Sequence, residues 1–262
     1  MYNFDVVTPK TVADAVAALG EEDAQALGGG QTLIPTLKQR LASPSKLVSL
    51  TGIDEIKGIR TDESGTLCIG GGTTHGTIAG EGSAYPALAA LAGNIGDPAV
   101  RNRGTIGGSL ANNDPSACYP AAVLASGATI VTNTREIAAD DYFQGMFTTA
   151  LEEAEIITEV RFPVPEKAYY QKFEQPASRF SLVGVFVAKY ADGVRVAVTG
   201  ASNDGVFRWT EAETALSSNF SADALDGLAA SADDMIADMH GSAAYRAHLI
   251  GVLTKRAVAA AG

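Results

Sequence analysis

Cysteine is scarce in this chain, since its 262 residues include only Cys68 and Cys118. Two thiols cannot build a disulfide framework. They also cannot supply the four cysteine ligands of an iron–sulfur cluster or of a four-cysteine zinc site from this chain alone. The start of the sequence lacks the pattern of a secretory signal, so a reducing cytoplasm is the expected compartment.

Positive charge and long apolar runs are also in short supply. The 19 Lys and Arg residues against 30 Asp and Glu residues give a formal net charge of −11. Nucleic acid and anionic lipid both require a basic face, so neither is expected as a partner. No apolar run approaches the roughly 18 residues of a membrane helix, and we expect no membrane insertion.

Several common catalytic and nucleotide-binding motifs are absent. There is no Gly-Lys dipeptide and therefore no Walker A loop, and neither G-x-G-x-x-G nor H-E-x-x-H occurs. The segment Gly107-Gly108-Ser109-Leu110-Ala111 lacks the closing glycine of a nucleophile elbow. The sequence therefore disfavours Rossmann-type dinucleotide binding and a Ser-His-Asp hydrolase.

Glycine is abundant and clustered. The three clusters are Gly28 to Gly30, Gly70 to Gly72 with Gly76, and Gly104 with Gly107 and Gly108. A single cluster usually marks a tight turn. Two of these clusters adjoin hydroxyl side chains, and backbone N–H groups in such loops bind anions. Together they favour an elongated, diphosphate-containing ligand held by backbone groups rather than by Lys and Arg.

Hydrophobic periodicity predicts helices and strands in both halves of the chain. Thr11 is expected to cap a helix that ends at Gly20, and Leu33, Ile34, Leu37 and Leu41 mark a second helix. Further helices are predicted at 86–92, 120–125 and 242–260, and strands at 46–50, 66–69, 128–132, 155–162, 168–173, 182–190 and 194–201. Pro163 and Pro165 mark a boundary. We expect an α+β part up to about residue 162, then a three-stranded sheet with helices from about Glu211.

Four segments resemble a known family. Residues 26–35, Ala-Leu-Gly-Gly-Gly-Gln-Thr-Leu-Ile-Pro, resemble the A-G-G-Q-S-L-I-P segment of the FAD-binding medium subunit of molybdenum hydroxylases, which include carbon monoxide and xanthine dehydrogenases. Residues 101–111 are similar to its R-N-x-G-T-I-G-G core nearly letter for letter. Residues 70–75 resemble its G-A-x-T-T-H turn, and residues 177–184 the start of its C-terminal domain. The resemblance covers essentially the whole chain.

The resemblance implies a fold and a domain division. The fold is α+β, with two subdomains clasping FAD as in the vanillyl-alcohol oxidase (PCMH) type, plus a C-terminal three-stranded sheet with helices. The FAD-binding domain would cover residues 1–163, with subdomains at about 1–52 and 53–163. A domain like the C-terminal domain of the carbon monoxide dehydrogenase flavoprotein would cover residues 164–262.

The resemblance also implies cofactor-binding residues. In this assignment residues 28–35 and 105–109 wrap the diphosphate and ribityl chain of FAD, and a cation near the flavin ring tunes the reduced cofactor. The assigned residues are Gly28, Gly29, Gly30, Gln31, Thr32, Leu33, Ile34, Thr74, His75, Thr105, Ile106, Gly107, Gly108, Ser109, Asn113, Cys118, Lys172 and Arg179.

Three assignments leave alternatives open. His75 either lies near the flavin or bonds the local backbone of its turn. Cys118 stands where many relatives carry an Asp that can bind the adenosine end, and a thiol replaces a carboxylate poorly. Either the backbone at 118 serves there or the adenine is held differently, and a buried thiol is expected. Arg101 and Arg103 could pair with acidic residues at a subunit contact or reach the cofactor.

The function implied by the resemblance is that of an oxidoreductase subunit without catalytic residues or metal ligands of its own. It would carry electrons from iron–sulfur clusters on a partner chain through FAD to an external acceptor. The implied partners are a molybdopterin-binding large subunit and a [2Fe–2S] small subunit, in a dimer of heterotrimers. One alternative is a stand-alone flavin-dependent oxidoreductase with its own organic substrate. Another is a binding protein without flavin, which the intact glycine loops disfavour.

Overall fold

The first 52 residues form a small unit around a parallel sheet. The computed structural model describes residues 1–262. The strand order in this sheet is β1-β3-β2. The predicted cap at Thr11 is confirmed, because its side chain accepts a hydrogen bond from the N–H of Asp14. The second helix ends at Lys38, so Leu41 lies outside it and is exposed, contrary to expectation. The elements are β1 (Asp5–Val7), α1 (Val12–Leu19), β2 (Ala24–Leu27), α2 (Leu33–Lys38) and β3 (Lys46–Ser49).

Residues 53–162 build a second unit around a five-stranded antiparallel sheet. The strand order is β4-β5-β10-β6-β7, and five short helices connect the two halves of the sheet. The elements are β4 (Ile59–Thr61), β5 (Leu67–Gly70), α3 (His75–Glu81), α4 (Pro86–Gly93), α5 (Pro98–Arg101), α6 (Ile106–Asn112), α7 (Tyr119–Ala125), β6 (Thr129–Thr132), β7 (Glu136–Ala138), α8 (Ala139–Tyr142), β8 (Phe143–Gly145), β9 (Thr148–Thr149) and β10 (Ile157–Phe162).

The C-terminal residues form a four-stranded antiparallel sheet covered by two helices. The fourth strand, which follows a tight turn at Asn203 and Asp204, was not predicted. Residues 219–241 are irregular rather than helical, apart from one 3-10 turn. Asp238 illustrates the reason, because its carboxylate accepts hydrogen bonds from the N–H groups of His240 and Gly241 and so competes with a helix. The elements are β11 (Lys167–Glu174), β12 (Ser181–Tyr190), β13 (Gly193–Ser202), β14 (Gly205–Arg208), α9 (Thr210–Ser218) and α10 (Ala243–Ala261).

A shared hydrophobic core joins the C-terminal sheet to the second unit. Phe186, Ala188 and Ala197 of β12 and β13 pack in the same buried cluster as α4, α7 and β10. The opposite face of that sheet packs against α9 and α10. The architecture therefore changes between Phe162 and Lys167, while the core is continuous across this point, and a domain boundary at residue 163 stays a prediction. No helix combines the length and apolarity needed to cross a membrane.

Candidate cofactor site

A cavity of about 860 Å³ lies where the three units meet. The turn at residues 28–33 comes from the first unit. The second unit contributes residues 155–157 and part of the other two glycine clusters, namely Gly71, Gly72, Gly104, Gly107 and Gly108. The C-terminal unit contributes Phe180. No Lys or Arg side chain lines this cavity. Any anionic group bound here would therefore be held by backbone, hydroxyl and amide groups.

The glycine clusters are in direct contact with one another at the cavity. A β-carbon at Gly29 would lie 1.9 Å from the carbonyl oxygen of Arg103. Gly107 donates a 2.8 Å backbone hydrogen bond to the carbonyl of Gly71. Side chains at these positions would push the loops apart, so the glycines are required for close approach. The loops that the sequence analysis placed around one ligand do lie together.

The two phosphate loops expected from the sequence differ in what they offer. No backbone carbonyl accepts a hydrogen bond from the N–H groups of residues 28–32, which leaves these N–H groups available to a ligand. In the second loop the N–H of Ile106 donates to Thr73, and that of Ser109 to the carbonyl of Thr105. The N–H of Gly108 donates to the Thr105 hydroxyl. The expectation of free N–H groups throughout residues 105–109 is therefore wrong, because they cap α6 and attach it to the neighbouring loop.

The second loop still presents groups that could contact a ligand. The Thr105 hydroxyl accepts the capping bond and keeps its own hydrogen free to donate. The half-buried Ser109 side chain faces the cavity, and Gly108 leaves its wall open. Eleven of the assigned residues line the cavity: Gly28, Gly29, Gly30, Gln31, Thr32, Leu33, His75, Thr105, Gly107, Gly108 and Ser109.

Four other assigned residues in the N-terminal half have structural contacts instead of lining the cavity. Ile106 is fully buried in the core. Thr74 caps α3 by accepting a hydrogen bond from the N–H of Thr77, and Ile34 packs from α2 beside Gly30. The Asn113 amide donates to the carbonyls at 145 and 148 and so holds the hairpin between β8 and β9. The polar side chains of Thr74 and Asn113 are therefore already hydrogen-bonded within the protein.

Cys118, Lys172 and Arg179 also lie outside the cavity lining. The Cys118 thiol is buried as expected, 3.5 Å from the Ser181 hydroxyl and 3.8 Å from the Lys172 ammonium. That ammonium donates to the carbonyls of Asn94 and Arg179. The Arg179 side chain is exposed. The structure therefore directs the Lys172 ammonium into the protein rather than into the cavity.

His75 lies on the cavity wall with an imidazole that makes no hydrogen bond to its turn. Only its backbone N–H is engaged, by the carbonyl of Gly104. Its Nδ1 atom is buried and has no hydrogen-bond partner. The same holds for the hydroxyl of Tyr119, whose ring centroid lies 5.3 Å from that of the His75 ring. Burial lowers the pKa of His75 to about 4, because the imidazolium would lose its hydration. The side chain is therefore neutral at pH 7.

Glu155 is a lining residue that sequence reasoning missed. Its carboxylate accepts hydrogen bonds from Arg135 and from the hydroxyls of Thr132 and Thr134. The Arg135 guanidinium is the main cause of a Glu155 pKa of about 2. The carboxylate is ionised and fully engaged, so it fixes the position of the cavity wall at Ile156 instead of serving as a base.

Other lining residues were also missed. Gly71 and Gly72 belong to a glycine cluster that the sequence analysis noted but did not assign to the site. Phe180 directly follows the assigned Arg179. No local signal marked residues 155–157, because their place in the site depends on long-range packing of β10 against β5 and β6. Arg101, left open above, donates to the carbonyls of residues 95 and 96.

The residues present fit FAD. Five consecutive free N–H groups and two hydroxyls suit a diphosphate, whose charge they can share without a cationic side chain. Phe180 is the only Phe, Tyr or Trp side chain in the lining, and with Ile156 and Ile157 it supplies apolar surface for a planar ring. Residues of three separate units converge on one cavity with both kinds of surface.

Comparison with known families agrees with this chemistry. The profile described as "FAD binding domain in molybdopterin dehydrogenase" matches residues 2–165. The chain belongs to this family of FAD-binding medium subunits of molybdenum hydroxylases, and its cofactor is FAD. The resemblance stated from the sequence is thereby confirmed.

Individual relatives cover nearly the entire chain. The carbon monoxide dehydrogenase medium chain of Afipia carboxidovorans is 34% identical, over 98% of this chain and 96% of the relative. The nicotine 6-hydroxylase medium subunit of Paenarthrobacter nicotinovorans is also 34% identical, over 97% of this chain and 96% of the relative. A solved structure of reconstituted carbon monoxide dehydrogenase from Oligotropha carboxidovorans superposes with a TM-score of 0.90 at 34% identity, covering 99% and 98% of the chains.

Proposed function

We propose that this chain is the FAD-carrying electron-transfer subunit of a multi-subunit molybdenum hydroxylase. Bound FAD accepts and releases electrons singly or in pairs, which lets it connect a one-electron donor to a two-electron acceptor. The observation that carries the proposal is a cavity with five unpaired backbone N–H groups at residues 28–32 and an aromatic wall at Phe180.

The residues of the chain have distinct roles in holding the cofactor. The N–H groups of residues 28–32 and the hydroxyls of Ser109 and Thr105 bind the diphosphate. Phe180 and Ile156 exclude water from the ring. Since His75 is neutral at pH 7, it adds a polar group without adding charge to the site.

The cysteine content of this chain and the names of its relatives support the proposed partner chains. Both cysteines are buried, and no group of three or more His, Cys, Asp or Glu residues could hold a metal ion. Because two buried cysteines cannot supply the ligands of an iron–sulfur cluster, we assign the clusters to another subunit. The names of the relatives describe medium chains and complex subunits. We assign a molybdopterin-binding large subunit and a [2Fe–2S] small subunit as partners, in a dimer of heterotrimers.

We also propose a division of the chain into two domains. Residues 1–163 form a PCMH-type FAD-binding domain with subdomains meeting near residue 52, and residues 164–262 form the C-terminal domain. The parallel sheet of the first unit and the antiparallel sheet of the second, with the cavity between them, support this division.

The alternative is a stand-alone flavin oxidoreductase. Such an enzyme needs a base placed to accept a substrate proton. The titratable side chains in the lining are His75, Glu155 and Asp114. Glu155 is engaged by Arg135, and the Asp114 carboxylate accepts the N–H of Ser116. His75 is the only one of the three whose side chain makes no hydrogen bond within the protein, and its Nδ1 atom is buried.

Purification of the native complex tests the proposal. We expect the chain to carry stoichiometric FAD and to copurify with a molybdenum-containing chain and a cluster-containing chain. The isolated holo-chain should oxidise no organic donor at an appreciable rate, yet its flavin, once reduced with dithionite, should be reoxidised by the physiological acceptor. Rapid turnover of an organic donor by the isolated chain would favour the alternative, and a colourless chain would refute both flavin functions.

A further inference from the structure

The turn between β11 and β12 has an unfavourable backbone. Ser178 and Arg179 have φ angles of 59° and 54°, in the left-handed region that residues other than Gly, Asn and Asp rarely occupy. The turn is closed by a hydrogen bond from the N–H of Gln175 to the carbonyl of Phe180. Two consecutive non-glycine residues in this region persist only where surrounding contacts hold them.

Lys172 provides such a contact. The residue is 7% exposed, and its ammonium donates to the carbonyl of Arg179 at 2.8 Å and to that of Asn94 at 2.6 Å. Asn94 follows the last residue of α4 in the second unit. The ammonium therefore fastens the strained turn of the C-terminal unit to a helix end of the second unit.

The chemistry of this contact is unusual because no carboxylate lies within ion-pair distance of Lys172. Its remaining polar neighbour is the Cys118 sulfur, 3.8 Å from the ammonium nitrogen. Burying a cation without a carboxylate partner is unfavourable unless local dipoles compensate it. Moving either carbonyl would leave the buried ammonium without a hydrogen-bond acceptor. The interaction therefore stabilises the turn in its observed position.

The turn ends at Phe180, the aromatic residue of the cavity wall. The Phe180 ring also contacts the His240 ring edge to face, with a centroid distance of 5.4 Å. His240 is itself held by the N–H bond to Asp238, whose carboxylate pairs with the buried Arg246. Phe180 is thus supported through its backbone by Lys172 and through its ring by the loop at 238–241.

We propose that Lys172 is a positioning residue for the cofactor. It holds the Ser178–Arg179 turn so that Phe180 faces the flavin, and it acts on FAD only through that side chain. This inference depends on the proposed function, which places the flavin ring beside Phe180. It differs from a direct cation–flavin contact, in which Lys172 would act independently of Phe180.

A double-mutant cycle on FAD affinity tests the proposal. The full chain is freed of FAD, and the Kd of FAD is measured for the wild type, Lys172→Met, Phe180→Ala and the double variant. We expect Lys172→Met and Phe180→Ala each to weaken binding about tenfold, and the double variant to match Phe180→Ala within twofold. Lys189→Met, at a partly exposed lysine of the same sheet, is the matched control and should leave the Kd unchanged.

Each other outcome has a definite meaning. If the loss of FAD affinity in the double variant equals the product of the two single losses, Lys172 acts independently of Phe180. That result would overturn the inference. An unchanged Kd in Lys172→Met would also overturn it. An unchanged Kd in Phe180→Ala would instead refute the ring placement in the proposed function.

Stability is measured in parallel by thermal unfolding of the FAD-free chains. A purely structural role for Lys172 would lower Tm without coupling to Phe180 in FAD affinity. If Lys172→Met does not fold, Lys172→Gln keeps a neutral donor on a shorter side chain and enters the same cycle. The visible spectrum of the bound flavin gives a second readout, and we expect the same altered band shape in the Lys172 and Phe180 variants.

Discussion

The N–H of Gly107 donates a 2.8 Å hydrogen bond to the carbonyl oxygen of Gly71, and a β-carbon at Gly107 would lie 2.6 Å from that same oxygen. The contact joins the α6 loop to the end of β5, and it is made by backbone atoms on both sides. Gly107 is therefore required for the assembly of the site itself. Its neighbour Gly108 is exposed to the cavity, where a β-carbon would meet only the Thr105 hydroxyl, at 3.0 Å.

This difference predicts opposite outcomes for adjacent glycines. Gly107→Ala should lower the free energy of unfolding by about 2 kcal/mol, because backbone atoms must shift. Gly108→Val should leave that free energy within about 1 kcal/mol of wild type while weakening FAD binding at least tenfold. Urea unfolding and FAD titration of both variants measure the two effects. Equal loss of stability in both variants would contradict the assignment of Gly108 to the ligand side.

Thr105 and Ser109 form a second matched pair. Thr105→Val removes the cap that accepts the N–H of Gly108 and should cost about 1 kcal/mol of stability. Ser109→Ala removes a hydroxyl that has no partner in the protein, so stability should be unchanged. We expect FAD affinity to fall at least about tenfold in Ser109→Ala, as for one lost hydrogen bond to a charged group, which is worth roughly 1.5–3 kcal/mol. A Ser109→Ala variant with wild-type Kd would remove this hydroxyl from the diphosphate site.

The buried neutral His75 predicts a pH dependence of stability. The unfolded chain binds a proton at His75 near pH 6.5, whereas the folded chain does so only near pH 4. The unfolded state therefore binds more protons in between, and the free energy of unfolding should fall as pH drops from 6.5 to 4. The loss is on the order of 1–3 kcal/mol. FAD affinity should show no inflection near pH 6.5.

Replacement of His75 isolates this contribution. In His75→Phe the free energy of unfolding should fall less between pH 6.5 and pH 4 than it does in the wild type. Each protein is compared with its own value at pH 7. His248→Ala, at an exposed histidine of α10, is the control and should keep the wild-type slope. A wild-type slope in His75→Phe would mean that other groups cause the pH dependence.

Asn113 predicts a stability effect without a cofactor effect. Its φ angle is 42°, and its amide makes hydrogen bonds of 2.8 and 2.9 Å to the carbonyls of Gly145 and Thr148. Asn113→Ala should destabilise the chain by about 2 kcal/mol, because the carbonyls of Gly145 and Thr148 lose their donor and alanine tolerates this backbone poorly. The Kd of FAD should stay within twofold of wild type. A strongly increased Kd with unchanged stability would instead indicate that Asn113 contacts the cofactor.

The sequence predicted the parts of the site that depend on local backbone requirements. The turn at 28–33 and the loop at 105–109 were found because glycine and hydroxyl residues at those positions resemble a known family, and the structure brings them together. Most helices and strands fell within a few residues of their predicted bounds, since burial of one face dictates their periodicity. The Pro86 and Thr11 helix starts are examples.

Long-range packing explains what the sequence did not predict. Whether the N–H groups of Ile106 and Gly107 are free depends on Thr73 and Gly71, which lie more than 30 positions earlier in the chain. Lys172 was assigned to the flavin by resemblance, but the carbonyl of Asn94, 78 residues away, determines where its ammonium lies. The helix expected after Glu211 stops at Ser218, because the Asp-rich segment that follows forms local side-chain-to-backbone bonds.

The absence of Lys and Arg from the cavity lining has a consequence for handling the holoprotein. Attraction between exposed opposite charges weakens as dissolved ions accumulate around them, whereas short bonds from enclosed amide dipoles are far less sensitive. Ionic strength by itself should therefore be a poor means of stripping the yellow colour from this chain. Chaotropes that loosen the three-way junction should release it.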